Sequence, residues 1–226
     1  MERVCEPELM DGVAQADAYA AADFSAGDQA LLARLVELFG AALGPQLIDL
    51  GCGPGNISFL LAERYPAARV VAVDGAPAML RIARSRQETA PSCWPQLEFV
   101  AAQLTPQGLQ PPVAGRFTAV VSNSLLHHLH DPQVLWTAVG QLGAPGAAVY
   151  IKDLRRPASA EAVLALRDRY LAGAPAVLQH DYVASLHAAF TAAEVRQQLV
   201  DAGLAAALQV AELDDRYLEV WGRLAG

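Results

Sequence analysis

The sequence predicts an α/β fold, a parallel sheet with helices on both faces. Three observations predict it. From about residue 46 onward, short apolar runs alternate with segments of helical spacing. The first of these runs, Gln46–Leu50, opens directly into a glycine-rich turn, Gly51-Cys52-Gly53-Pro54-Gly55. The second run closes on an acid, Asp74, about twenty residues further along.

Each element has its own signal. Gln46–Leu50 (QLIDL) reads as a buried strand. Residues 56–65 carry Ile57, Leu60, Leu61 and Tyr65 at helical spacing, and Pro66 ends them. Residues 69–73 (RVVAV) form a β-branched second strand, and 76–88 a helix with Pro77 in the first turn, where its missing N–H costs nothing. Leu97–Ala101 is the third strand, 106–115 a Pro/Gly-rich loop and 117–121 the fourth strand. A helix over 132–142 and the turn Ala144-Pro145-Gly146 precede a fifth strand at 147–151.

The ends differ from this core. Residues 9–43 predict two helices packed on the sheet or over its upper edge, so residues 1–45 are expected as an N-terminal helical cap on a domain of residues 46–226. Residues 158–203 predict further helices, with an insertion at about 158–190. Thr191 and Glu194 are spaced as a capping box, and Gly203 would end that helix. Residues 206–210 and 217–221 suggest a terminal antiparallel pair.

Composition narrows the function classes. With 226 residues there is one sizeable core, and 16 Lys+Arg against 24 Asp+Glu give a net charge of −8. That balance is wrong for neutralising phosphates, so a small-molecule substrate is expected rather than nucleic acid. No apolar run approaches the roughly 18–20 residues of a membrane span, and no secretory signal is visible. A cytoplasmic protein without membrane association, a monomer or homodimer, is the expectation. Cys5, Cys52 and Cys93 suggest neither a disulfide framework nor a zinc site.

The glycine turn lets backbone approach a ligand closely and aims helix N–H groups at it, while an acid in the position of Asp74 can bind ribose hydroxyls. A dinucleotide fingerprint needs its third glycine where Asn56 stands, and Gly55 comes one residue early. That pattern fails, which leaves an NAD(P)-dependent oxidoreductase as a weaker alternative.

The segments DLGCGPG and VVAVDGAPAML, taken together, resemble the first two motifs of the class I, Rossmann-like S-adenosylmethionine-dependent methyltransferases. The resemblance implies a three-layer α/β/α sandwich on a mostly parallel seven-stranded sheet, the last strand antiparallel. It also implies N-terminal helices and a helical insertion after strand five. It makes S-adenosylmethionine the cofactor and methyl transfer to a small-molecule O, N, S or C nucleophile the activity. A non-catalytic module that binds the same cofactor is the alternative. By position the resemblance carries over Asp49, Gly51, Cys52, Gly53 and Gly55 in the loop, Asp74 and Gly75 at the ribose, and Met79 near the adenine. Ala102, Gln103 and Leu104 follow the third strand, where the family often has an acid. Asn123 lies in the fourth motif, VVSNSLLHHL, near the expected sulfonium.

Beyond the cofactor, His127, His128 and Asp153 are the catalytic candidates, with Asn123 and Tyr19 as positioning groups. Tyr19, Phe24, His127 and Arg155 are the candidate substrate contacts, the two aromatics as a lid. No metal is expected: His127 and His128 are adjacent, so their side chains should diverge, and no Cys or acid cluster accompanies them; His127 and His130 with Asp131 are the alternative set. Tyr182, Ser185, His187 and Phe190 fall in the helical insertion, which shapes substrate pockets in the family; His180 and His187 have no visible partner.

Overall fold

The computed structural model describes residues 1–111 and 113–226. Two helices come first, α1 (Val13–Ala21) and α2 (Ser25–Phe39), followed by β1 (Gln46–Leu50), α3 (Asn56–Arg64), β2 (Arg69–Asp74), α4 (Pro77–Glu88) and β3 (Leu97–Ala101). A short hairpin, β4 (Gln103–Thr105) with β5 (Gly108–Gln110), precedes β6 (Phe117–Asn123), α5 (Gln133–Leu142) and β7 (Gly143–Leu154). The chain closes with α6 (Ala160–Leu171), α7 (Ala176–Ala188), α8 (Ala192–Asp201), β8 (Leu208–Glu212) and β9 (Tyr217–Arg223).

The large sheet has seven strands in the order β3-β2-β1-β6-β7-β9-β8, with β9 antiparallel to both neighbours. This is the mostly parallel sheet with an antiparallel last strand that the resemblance implies. Chain order reverses between β1 and β6, and open α/β sheets bind ligands above the carboxyl ends of strands at such a point.

Strand periodicity assigns the two faces. Ile48, Leu50, Val71, Val73, Val149 and Ile151 point into one core, under α5 and α8. Leu47, Val70, Ala72, Ala148 and Tyr150 point into the other, under α2, α3 and α4. Carried to the end of β7, the same alternation sends Asp153 to the α5 side and Lys152 to the α2 side. Arg34 of α2 grips Glu219 of β9 with two hydrogen bonds, at 2.7 and 3.1 Å, and so anchors α2 over the sheet.

Several boundaries depart from the sequence reading. The span 106–115 is not all loop: Leu104 and Leu109 face each other in the β4–β5 hairpin, and Leu109 is buried in the first core. The fifth strand begins at Gly143, because Gly143 pairs with Phe117 before the register slips at the Ala144-Pro145-Gly146 turn. The capping box of Thr191 and Glu194 forms, and Gly203 follows α8 with φ +71°. Among the described residues, no helix is long and apolar enough to cross a membrane.

Candidate active site

Above the carboxyl ends of β1, β2, β6 and β7 lies a cavity of about 470 Å³. One wall is the glycine turn. Gly51 and Cys52 both donate to Val73 O, at 2.8 and 2.9 Å, which ties the turn to the end of β2. Gly51 has φ +71°, and a Cβ there would lie 2.7 Å from the Leu125 side chain, so only glycine lets the β6 loop cross so closely. Asp74 braces the turn from the other side. Its Oδ2 accepts from Gly53 N–H and its Oδ1 from Ala76 N–H, both at 2.7 Å. Burial raises the Asp74 carboxyl above its ordinary value, although backbone N–H donors oppose the shift.

Asp49 is buried at the end of β1 and accepts from Ser58 Oγ of α3 at 2.6 Å. Burial pushes its carboxyl up to about 7 despite that bond. Cys52 is a buried thiol pushed upward by burial, so it packs rather than reacts.

Most of the cofactor residues named from sequence share this cavity: Asp49, Gly51, Cys52, Gly53, Asp74 and Gly75 on one side, with Met79, Ala102, Gln103, Leu104 and Asn123 around the rest. Gly55 does not line it. Its φ is +87°, and a Cβ would lie 2.9 Å from both the Phe59 and Phe99 rings, so this glycine lets α3 pack against β3. Asn123 Oδ1 is buried and has no hydrogen-bond partner among the described residues, a standing acceptor at the end of β6.

The opposite wall is built on a tight turn. Ser124 adopts φ +58° and starts the 3₁₀ turn Leu126–His128. Asp153, arriving on the α5 face of β7, accepts from Leu126 N–H at 2.7 Å and bonds His127 Nδ1 at 2.6 Å. Burial opposes a charge on His127, but the charge and hydrogen bond of Asp153 outweigh it and hold the imidazolium above its ordinary value. Asp153 itself sits behind His127 and does not line the cavity. His128 is held neutral, burial pushing its pKa down to about 3.

Sequence reasoning missed Glu6 entirely. The first eleven residues run across the site. Arg3 donates to His127 O at 2.9 Å and Leu129 O at 2.8 Å, and stacks on Phe190 at 3.9 Å. Glu6 then takes Ser185 Oγ at 3.0 Å and lies 3.5 Å from His127 Nε2 and 3.3 Å from His128 Nδ1. The two imidazoles do not diverge as expected: the turn stacks them at 4.3 Å, and both face Glu6. Glu6, His127 and His128 thus bring donor atoms within 4.8 Å of one another, a set able to hold a cation as well as to relay a proton. No signal near residue 6 announces this, because its partners lie more than a hundred positions away.

Tyr19 and Phe24 form a ring pair at 4.8 Å on the cavity wall. Arg155 is elsewhere: its Nε donates to Asp214 O at 2.9 Å and its Nη1 lies 3.3 Å from Glu212, on the terminal hairpin. Arg216 lines the cavity instead, together with Lys152, Tyr182 and Ser185. His187 gives its carbonyl to Val4 N–H, and His180 is exposed.

Comparison with known proteins shows what this arrangement resembles. Residues 47–146, from β1 to the start of β7, match the profile of a family described as methyltransferase domain. Over those residues the chain resembles a methyltransferase domain. The sheet topology is that of the class I, Rossmann-like methyltransferase fold. An uncharacterized methyltransferase of Mycobacterium tuberculosis is 37% identical over 116 residues, 51% of this chain and 54% of its own length. A trans-aconitate 2-methyltransferase of Azoarcus is 38% identical over 106 residues, 47% of this chain and 38% of its own. The chain thus spans about half the length of the mycobacterial relative and less of the other. Solved structures extend the likeness of the methyltransferase fold over nearly the whole chain. A SAM-dependent methyltransferase from Aquifex aeolicus superposes with TM-score 0.63 at 16% identity, covering 93% of this chain and 98% of that one. A plantazolicin methyltransferase, solved with a pentazolic desmethylPZN analogue and SAH, gives TM-score 0.70 at 11% identity, covering 95% and 90%.

Proposed function

We propose that this protein transfers a methyl group from S-adenosylmethionine to a small-molecule acceptor. One observation carries the proposal: a single cavity joins the glycine turn and Asp74 to the Asp153–His127 pair. The residues fit the cofactor. The positive-φ turn offers close backbone approach, Asp74 an acid for ribose hydroxyls, Met79 an apolar surface for adenine, and Asn123 Oδ1 an unmet acceptor for an ammonium group. Gln103 stands where the family often has an acid near adenine.

Bound S-adenosylmethionine supplies an electrophilic sulfonium methyl. The chain's part is to align the acceptor with it and exclude water, an orientation effect worth roughly 7–11 kcal/mol. Residues 1–45 act as the cap that does this, with Tyr19, Phe24 and Leu9 over the cavity. His127 takes the acceptor's proton on Nε2, and Asp153 holds the ring through Nδ1 and stabilises its charge. Glu6 lies against the same Nε2, so it yields to the acceptor or passes the proton onward. His128 packs beside His127 and stays neutral.

The same reading takes the partner as a small molecule rather than nucleic acid, consistent with the charge of −8, and a cytoplasmic monomer or homodimer as the working form. Calorimetry with S-adenosylhomocysteine and, separately, NAD tests it. Binding of the first at micromolar concentration with none of the second is expected; NAD binding alone would overturn it.

A further inference from the structure

Where β7 ends against the start of β9, the cavity is bounded by Lys152, Tyr170, Tyr182, Arg216 and Tyr217. Polar groups here are left unmatched in a way that a folded chain does not tolerate without reason. Lys152 is 6% exposed, yet its Nζ meets only the face of Tyr217, at 4.2 Å from the ring centre, with no hydrogen-bond or ion-pair partner among the described residues. Burial lowers its pKa, and Asp28, the acid that most offsets this, stays outside ion-pair distance. Among the described residues Arg216 also lacks a carboxylate partner. Its guanidinium stacks on Tyr170 at 3.6 Å and Tyr217 at 4.8 Å, and its Nε is buried with no acceptor. Tyr182 Oη is buried beside the Arg216 guanidinium and donates to no acceptor among the described residues, its proton held tightly by burial.

Three donors with unmet hydrogens therefore border one end of the cavity, two of them cationic and both against the same tyrosine ring. A neutral ligand would leave both cations without an ion-pair partner. A planar monoanion at this end of the cavity would compensate Lys152 and Arg216 together, and the aromatic faces suit an unsaturated body behind it. Asp28, Asp153 and Asp214 all act on Lys152, which favours a single negative charge over a phosphate dianion. We propose that this corner binds a carboxylate of the methyl acceptor, making the substrate an organic acid. The proposal rests on the methyltransferase reading above, but it concerns the acceptor alone.

Benzoate and benzamide, alike in shape and different in charge, test it by calorimetry on the full chain, with and without S-adenosylhomocysteine. Benzoate is expected to bind at least tenfold more tightly than benzamide. Lys152→Met and Arg216→Gln should each remove most of that preference while leaving S-adenosylhomocysteine affinity within about twofold. Melting curves identify a variant that fails to fold, and the other variant then decides. Equal binding of the two probes, or none by either up to about 10 mM, overturns the proposal. A large loss of S-adenosylhomocysteine affinity in Lys152→Met also overturns it, since the lysine would then hold the cofactor's own carboxylate. If wild-type protein ignores S-adenosylhomocysteine, the methyltransferase reading fails, while the benzoate preference of the free protein still decides this one.

Discussion

His127 and Asp153 are joined by a 2.6 Å hydrogen bond from Nδ1 to Oδ1, both side chains buried, at the edge of the cofactor cavity. The pair raises the pKa of His127, and a base works only when deprotonated. Activity should therefore rise with pH through a midpoint above the ordinary histidine value of about 6.5. Asp153→Asn should lower that midpoint and cut kcat by roughly a hundredfold or more, read from the pH profile of kcat/KM. An unchanged profile in the variant would remove His127 as the base.

Glu6 adds to the same shift from the N-terminal segment, and Arg3 holds that segment down. Arg3→Met should loosen residues 1–11, making them more sensitive to limited proteolysis. A proteolysis pattern identical to wild type would show that the segment is pinned by its other contacts.

The two glycines at either end of the turn should fail differently. Gly51→Ala drives a methyl into Leu125 at the cofactor wall, so S-adenosylhomocysteine affinity should fall at least tenfold. Gly55→Ala meets Phe59 and Phe99 away from the cavity, so it should lower Tm by several degrees with a smaller change in affinity. Calorimetry beside thermal melts separates the two effects.

Asp49 makes a pH prediction about stability. Its carboxyl is raised from 3.8 to about 7 on folding, so the folded state holds the proton that the unfolded chain releases. Its contribution is complete below about pH 4 and is lost as pH rises through about 7. Asp49→Asn keeps an acceptor for Ser58 and should flatten this part of the Tm-against-pH curve, leaving the variant relatively more stable at pH 8. A curve parallel to wild type would contradict the buried-acid account.

Sequence made the cofactor half of the site legible because its determinants are local. The turn from Gly51 to Gly55 follows β1 directly, and Asp74 closes the next strand, so spacing alone puts them together. The acceptor half depends on tertiary contact. Glu6 reaches His127 across 121 positions of chain, and Arg216 reaches the cavity only because β9 inserts beside β7. Arg155 was named in its place because it follows β7, but its side chain turns outward to Asp214 and Glu212. Lys152 carried a signal that went unused: a lysine next to Asp153 at the end of a buried strand must point to the opposite face, with its charge needing a partner. The stacking of His127 on His128 could not be read from helical spacing, since the segment is a 3₁₀ turn begun by Ser124 in a left-handed conformation.

A crystal structure with S-adenosylhomocysteine tests the central claim most directly. The account predicts ribose hydroxyls within hydrogen-bonding distance of Asp74, and the sulfur beside Gly51 and Asn123, facing His127 across the cavity. A ligand seated outside this cavity, or a ribose turned away from Asp74, would contradict it.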